Sequence, residues 1–374
     1  MTPTVQPDAA SLKSSLGLIA RAARAGEVQT VLGPIQPDEL GLTLTHEHLA
    51  CDASALMIPP EEATRRAKFN EPLSIGLLGL IRYTGLPNLD NARLQDVQTS
   101  IEEASLFKQA GGGTIVDVTS VGLGRDPVAL ASIARASRLN VVMGCSYYVD
   151  AAHPKDMSSR SEQQIADEIV REIREGVGTT GIKAGIIGEV GCSMPITDNE
   201  RKVLRASARA QRATGAPISI HPGRYERAPL EIIEVLDKAG ADLSRTIMCH
   251  LDRTIFDKTL MKELAATGCA LEYDLFGQEH SFYRPAPHID MPNDAQRLNW
   301  LAWLIENGYG QQLVVSQDID AKYLLLRYGG SGYAHIVNNI VPRMRRKGFD
   351  ETIIYSILVG TPRRLMTLAE PRGN

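Results

Sequence analysis

The chain has 374 residues, 43% of them hydrophobic and 22% charged, with a formal net charge of −4, a balance that suits an ordinary globular protein able to bury a large core. No clustered basic face offers itself to a phosphate backbone, and no apolar run nears the roughly 18 residues that span a bilayer, so neither nucleic acid nor membrane is an expected partner. Five cysteines, Cys51, Cys145, Cys192, Cys249 and Cys269, are odd in number and lack CxxC pairs, which fits reduced thiols in the cytoplasm better than a disulfide framework.

The opening segment, residues 1–26, reads as a tail followed by a short amphipathic helix from Ser11 to Ala25, with Gly26 near its C-cap. Residues 27–370 read as one domain. Its first strand-like run, "LTLTHEHL" from Leu42, ends in two histidines. Side chains alternate across a strand, so His46 and His48 share a face while Glu47 points away, as a structural hydrogen-bond partner. A long insertion follows, from about 51 to 109, rich in proline and closing with the helical stretch "LQDVQTSIEEASLFKQAGGG"; insertions of this length commonly serve as lids or subunit contacts.

Seven further runs follow: "GTIVDVTS" at 113, "NVVMGCSYY" at 140, "AGIIGEVG" at 184, "PISIHPG" at 217, "TIMCHLD" at 246, "CALEYDLFG" at 269 and "LVVSQDID" at 313. Amphipathic segments such as "SEQQIADEIVREIREG" and "ERKVLRASARAQRATG" lie between them, several closing on glycine. Apolar strands alternating with helices imply a parallel sheet covered by helices, and eight units predict closure into a (β/α)8 TIM barrel. A doubly wound open sheet is the competing arrangement, but the first strand carries no glycine-rich phosphate turn. The basic run "RMRRKGFD" from Arg343 reads as a solvated helix end.

In a barrel, function gathers at the C-terminal ends of strands. Here those ends carry His46 and His48, Asp117, Tyr147 and Tyr148, Glu189, His221, His250 and Asp252, Tyr273 and Asp274, and Asp318. Nitrogen and carboxylate donors without thiolates suit Zn²⁺, with Mn²⁺, Co²⁺ or Fe²⁺ as rivals. Four histidines with Asp318 and Glu189 exceed what one tetrahedral ion needs, and a pair of divalent ions bridged by a carboxylate uses them all.

From "GEVQTVLGPI" onward the chain resembles the phosphotriesterase family of the amidohydrolase superfamily. The blocks that carry the resemblance are "TLTHEHL", "AGIIGEVGCS", "HPGR", "HLDRTIFDK", "LEYDLFG", "HIDMPND" and "YGGSGYAHIVNNIVPRM". The resemblance implies that His46, His48 and Asp318 hold the more buried ion, that His221 and His250 hold the more exposed one, and that Glu189 bridges both. Phosphotriesterases proper bridge with a carboxylated lysine. This sequence has Gly188 and Glu189 at that place, and Lys183 is the one nearby lysine that modification could involve. A homodimer is also expected from the family and from the long first insertion.

The expected reaction is hydrolysis by a metal-bridging hydroxide, with Asp318 moving the proton to the leaving group. Arg224, Arg253, Lys322, Tyr148 and Tyr273 are the candidate substrate-binding residues, and the guanidiniums favour a small anionic substrate such as an N-acyl amino acid or N-acyl taurine. An ion pair of Arg224 with Glu226 or Asp252 is the competing role for that arginine. Amide hydrolysis is the leading expectation, and the nearest branch of the family acts on N-acetyltaurine-like amides. A lactonase or carboxylesterase with promiscuous phosphotriesterase activity is the first alternative, and a non-catalytic metal-binding protein the second. Asp117 and Asp252 are candidates to orient ligating imidazoles or to stabilise loops. Cys192 and Cys249 are expected to be buried and inert, and Met143, Met248 and Met291 to be packing residues. His153, His280, His288 and His335 lie away from strand ends, with His288 and His335 the two within reach of the mouth.

Overall fold

Each apolar run folds as a strand: β1 (Leu42–Glu47), β2 (Gly112–Asp117), β3 (Asn140–Cys145), β4 (Ile186–Gly191), β5 (Ile218–His221), β6 (Thr246–Met248), β7 (Ala270–Tyr273) and β8 (Leu313–Val315). The computed structural model describes residues 20–280 and 283–372. The eight strands lie side by side in chain order and every pairing between them is parallel. Beyond the strand ends β1 meets the β8 segment: the Asp318 amide donates to the His46 carbonyl at 3.3 Å and the His46 amide to Ser316 Oγ at 3.1 Å. Glu47 fastens this seam, accepting from Ser316 Oγ at 2.7 Å and from the amides of Gln317 at 2.8 Å and Ile319 at 2.9 Å. The sheet is thus a nearly closed (β/α)8 barrel.

The insertion contributes α1 (Ala63–Asn70) and α2 (Ile75–Thr84). The outer layer comprises α3 (Val97–Gln109), α4 (Pro127–Ser137), α5 (Glu162–Arg174), α6 (Asp198–Thr214), α7 (Ala228–Lys238), α8 (Lys258–Ala266) and α9 (Asp294–Glu306). Local chemistry sets their ends. Ser161 Oγ accepts from the Gln164 amide while Gln164 Oε1 accepts from the Ser161 amide, a reciprocal cap that starts α5, and Gly215 ends α6 at φ +75°. On α5, Ile165, Ile169 and Ile173 recur at four-residue spacing and are buried, each contributing about 1.5–3 kcal/mol by leaving water.

Two hydrophobic layers result. One lies between sheet and helices, with Ile133, Ile165, Leu204, Leu236, Leu264 and Leu301. The other fills the barrel interior, where Val116, Val142, Ile186, Ile247 and Val314 meet above Leu40 and Met366.

Two expectations need correction. Of the helix foreseen from Ser11 to Ala25, residues 11–19 lie outside the described residues, and from Ala20 to Ala25 the backbone is irregular and leads into a hairpin of Val28–Thr30 with Gly33–Ile35. The insertion also holds more structure than the one helix read from its closing stretch. Besides α3 it contains α1, α2 and a ribbon pairing Cys51–Asp52 with Arg93–Leu94. It is stitched to the loop after β8: Arg82 donates to the carbonyls of Tyr323 and Gly329, Lys322 Nζ contacts Asp90 at 2.6 Å, and the Tyr323 amide donates to Asn91 Oδ1 at 2.9 Å.

Candidate metal centre

The β1–β2 register is irregular between Leu44 and Glu47, with His46 inside that stretch and His48 just beyond it. His48 Nε2 lies 3.2 Å from Asp318 Oδ1 and 3.4 Å from Glu189 Oε1, and His46 Nε2 lies 3.5 Å and 3.7 Å from the same two carboxylates. On the other side of Glu189, its Oε2 is 2.8 Å from His221 Nδ1 and 3.4 Å from His250 Nε2, and those two ring nitrogens are 2.9 Å apart. Glu189 therefore stands between two histidine pairs. His250 and Asp318 hold left-handed backbone conformations, φ +55° and +50°, of the strained kind that clusters at functional sites.

Neither ring nitrogen of His46 has a hydrogen-bond partner, although the residue is fully buried. Its Nε2, orphaned and facing Glu189 and Asp318, is what a divalent cation would satisfy. The electrostatics agree. Burial alone would lower the His46 pKa, but Glu189, Asp274, Glu272 and Asp318 outweigh it and hold it up at about 9, the field of a cation site. Burial would raise Glu189 and Asp318, yet both are held low, Glu189 by His221 and His46 and Asp318 by His48 and His46. The donor atoms of His46, His48 and Asp318 lie within 4.8 Å of one another, as do those of His46, Glu189 and His250. These residues fit a pair of ions.

Supporting groups fix the rings. His48 Nδ1 is 2.8 Å from Thr119 Oγ1, and His250 Nδ1 is 2.9 Å from Asp274 Oδ1. Asp117 and Asp252 touch no imidazole. Asp117 accepts from the amides of Leu49 and Thr119, and Asp252 accepts from the Leu275 amide and from Arg297 Nε at 2.8 Å. The carboxylate held against the His250 ring is thus Asp274, which the sequence marked only as a strand end. Its signal was parity: Asp274 sits two residues beyond Glu272, on the same face of β7.

A cavity of about 570 Å³ opens above the cluster, lined among others by Tyr148, Arg224, Arg253, Tyr283 and His280. Tyr148's hydroxyl is 3.3 Å from His221 Nδ1. Arg253, 1% exposed, contacts His221 Nε2 at 3.2 Å, Thr254 Oγ1 at 3.2 Å and the Pro222 carbonyl at 3.3 Å. Arg224 donates to the Tyr283 hydroxyl at 2.9 Å and lies over its ring. Among the described residues no carboxylate forms an ion pair with either arginine, and Glu226 instead accepts from the amides of Phe256 and Asp257.

Two of the five candidate substrate residues lie elsewhere. Tyr273 is fully buried with an unpartnered hydroxyl and does not line the cavity, and Lys322 is held by Asp90. Lys183 is remote from the cluster, donating to the carbonyls of Ala20 at 2.7 Å and Gly181 at 3.2 Å. Of the histidines away from strand ends, His280 reaches the cavity, whereas His335 pairs with Asp294 at 2.8 Å and His288 is exposed. Tyr283 and His280, both missed from sequence, sit on a loop where no strand period points to them.

A parallel barrel with a histidine and carboxylate cluster at its C-terminal mouth defines a class, the metal-dependent hydrolases. The chain belongs to the phosphotriesterase family, whose model matches residues 26–366 and whose members are binuclear metal-dependent enzymes. It is 44% identical over 365 residues to the N-acetyltaurine hydrolase of Dictyostelium discoideum, covering 92% of this chain and 99% of that protein. Among solved structures, a resiniferatoxin-binding protein from Rhodobacter sphaeroides superposes with a TM-score of 0.88 at 36% identity, covering 94% of this chain and 98% of that one. A lactonase from Listeria monocytogenes superposes with a TM-score of 0.74 at 26% identity, covering 91% and 99%.

Proposed function

We propose that the chain is a binuclear metal-dependent amidase that hydrolyses a small N-acylated amine bearing an anionic group, of the N-acetyltaurine kind. The observation that carries this reading is the pair of guanidiniums, Arg253 and Arg224, that face the cavity beside His221 with no carboxylate among the described residues to neutralise them. A buried cation with no counter-charge of its own is matched by an anionic ligand, and a guanidinium fork suits a sulfonate or carboxylate. The 44% identical relative, named for an N-acylated sulfonate, supports the same substrate class.

His46, His48 and Asp318 would hold the buried ion, His221 and His250 the exposed one, with Glu189 between them, and an oxygen and nitrogen donor set of this kind suits Zn²⁺. When bound, the ions supply Lewis acidity and a water of lowered pKa. Asp318 lines the cavity and presents Oδ1 to His48, while its Oδ2 lies 3.8 Å from His250 Nδ1. That second oxygen accepts the proton released as water adds to the acyl carbon and returns it to the departing nitrogen. Arg253 and Arg224 hold the anionic end of the amine, and Tyr148 borders the reacting carbonyl.

The test is a metal-loaded assay across amides, lactones, carboxyl esters and phosphotriesters. Turnover concentrated on anionic N-acyl amines is expected; turnover of lactones with none of any amide would replace this reading by the lactonase one, which the Listeria neighbour favours. A reducing, cytoplasmic setting is consistent with the five buried, unpaired cysteines. No helix among the described residues is long and apolar enough to cross a membrane. A homodimer covering the exposed Ile58, Ile75 and Tyr83 of the insertion completes the proposal.

A further inference from the structure

Immediately below the ligands the barrel interior is polar. Barrel layers are ordinarily filled by branched aliphatic side chains, as they are at the base of this one. One level higher a continuous polar chain crosses from β1 to β5. Thr45 Oγ1 donates to Glu272 Oε1; Glu272 Oε2 lies 3.0 Å from Cys249 Sγ, which lies 3.1 Å from Ser219 Oγ. All four residues are fully buried.

A carboxylate sealed in such a place needs a positive partner, because its uncompensated charge is far costlier than a missing hydrogen bond. Among the described residues Glu272 pairs with no lysine or arginine. The basic group it faces is His46, whose Nδ1 is 3.5 Å from Oε2. Asp274 is equally near that nitrogen, at 3.4 Å, but it is already engaged by the His250 ring at 2.9 Å and by the His250 amide at 3.0 Å. The Thr45 hydroxyl and the Cys249 thiol bring no charge. His46 Nδ1 for its part has no hydrogen bond of its own.

We propose that Glu272 is a positioning residue for His46: its carboxylate takes the Nδ1–H of that imidazole, fixing the tautomer that turns the Nε2 lone pair toward the buried ion. Thr45 and Cys249 hold the carboxylate in place, and its charge balances the ion from inside the barrel, as carboxylates behind ligating histidines commonly do. The inference rests on His46 being a ligand, and its tests separate the two claims.

Metal retention is read by competition with a chromophoric chelator, alongside circular dichroism to show that each variant is folded. Glu272→Met, which removes the acceptor, is expected to weaken retention of one of the two ions by about 10–100-fold. Glu272→Gln, which keeps an acceptor oxygen but loses the charge, is expected to recover part of it. Folded Glu272→Met protein that resists the chelator as the unmodified chain does would overturn the proposal. In the unmodified, metal-loaded chain, ¹⁵N-histidine NMR should show His46 Nδ1 protonated and hydrogen-bonded. An unprotonated Nδ1 would overturn the proposal even where a variant fails to fold. An unmodified chain that retains no ion sinks the metal reading itself, a distinct outcome.

Discussion

Asp318 reaches the cavity floor from a left-handed backbone, and its carboxylate touches the His48 ring while lining the open space above. Replacing it by asparagine keeps one oxygen donor but removes the proposed proton acceptor. Asp318→Asn is expected to lower kcat by about 10²–10⁴-fold while much of the bound metal stays, measured by single-turnover kinetics beside elemental analysis. The proposed role of Arg253 is in binding. Arg253→Met should reduce kcat/KM for an anionic N-acyl amine by about 10–100-fold, the loss of a charged hydrogen bond worth roughly 1.5–3 kcal/mol, and leave a neutral amide of the same acyl group nearly unaffected. Equal losses on both substrates would assign Arg253 to the architecture of His221. At this scale the histidine pair of β1 was legible because period-two spacing places both rings on one face. Tyr273 was misread for the same reason inverted: its neighbours Glu272 and Asp274 face the barrel interior, so its own ring is sent to the opposite side. Lys322 could not be placed from sequence, since its partner Asp90 lies in the insertion and no local pattern encodes that meeting.

Among elements, the outer layer depends on ion pairs that cross between segments. Arg125, in the loop after β2, makes a bidentate contact with Glu172 of α5, both bonds 2.8 Å, and also donates to the Gly144 carbonyl at 3.0 Å. The two side chains are 6% and 8% exposed, so removing one partner strands the other's charge. Arg125→Met is expected to destabilise the fold by about 3–5 kcal/mol in urea unfolding, and Arg125→Met with Glu172→Leu to recover most of it. A double variant as unstable as the single one would place the loss in packing instead. The middle of β4 is equally constrained: Gly188 sits at φ +137°, and a Cβ there would lie 2.4 Å from the Ser219 carbonyl, so only glycine can precede Glu189. Strands and outer helices were readable from apolar period and glycine stops. The helices of the insertion were not, because α2, "IGLLGLIRYT", is apolar around most of its circumference and carries two glycines, leaving no amphipathic stripe to recognise.

For the molecule as a whole, acid stability is carried partly by buried carboxylates on the outer side of the mouth. Asp294 is paired with Arg297 at 2.9 Å and His335 at 2.8 Å. Burial would raise its pKa, but His335, the Gly277 amide and Arg297 hold it below the ordinary value. A carboxyl group with a depressed folded-state pKa contributes stability above its unfolded value of about 3.9 and loses it as the pH falls through the folded one. Asp294→Asn should therefore be less stable than the unmodified chain at pH 6, the difference shrinking as the pH drops below about 4, as followed by denaturant midpoints at each pH. A gap that stayed constant with pH would refute the charge-based account.

The seam between the first and last strands bears on biogenesis. Because His46 and Asp318 reach the same pocket from opposite ends of the strand order, a nascent chain still lacking its last strand cannot assemble the full donor set. On the proposed ligand set, a polypeptide stalled on the ribosome before that strand emerges would lack Asp318 and could not yet hold the buried ion.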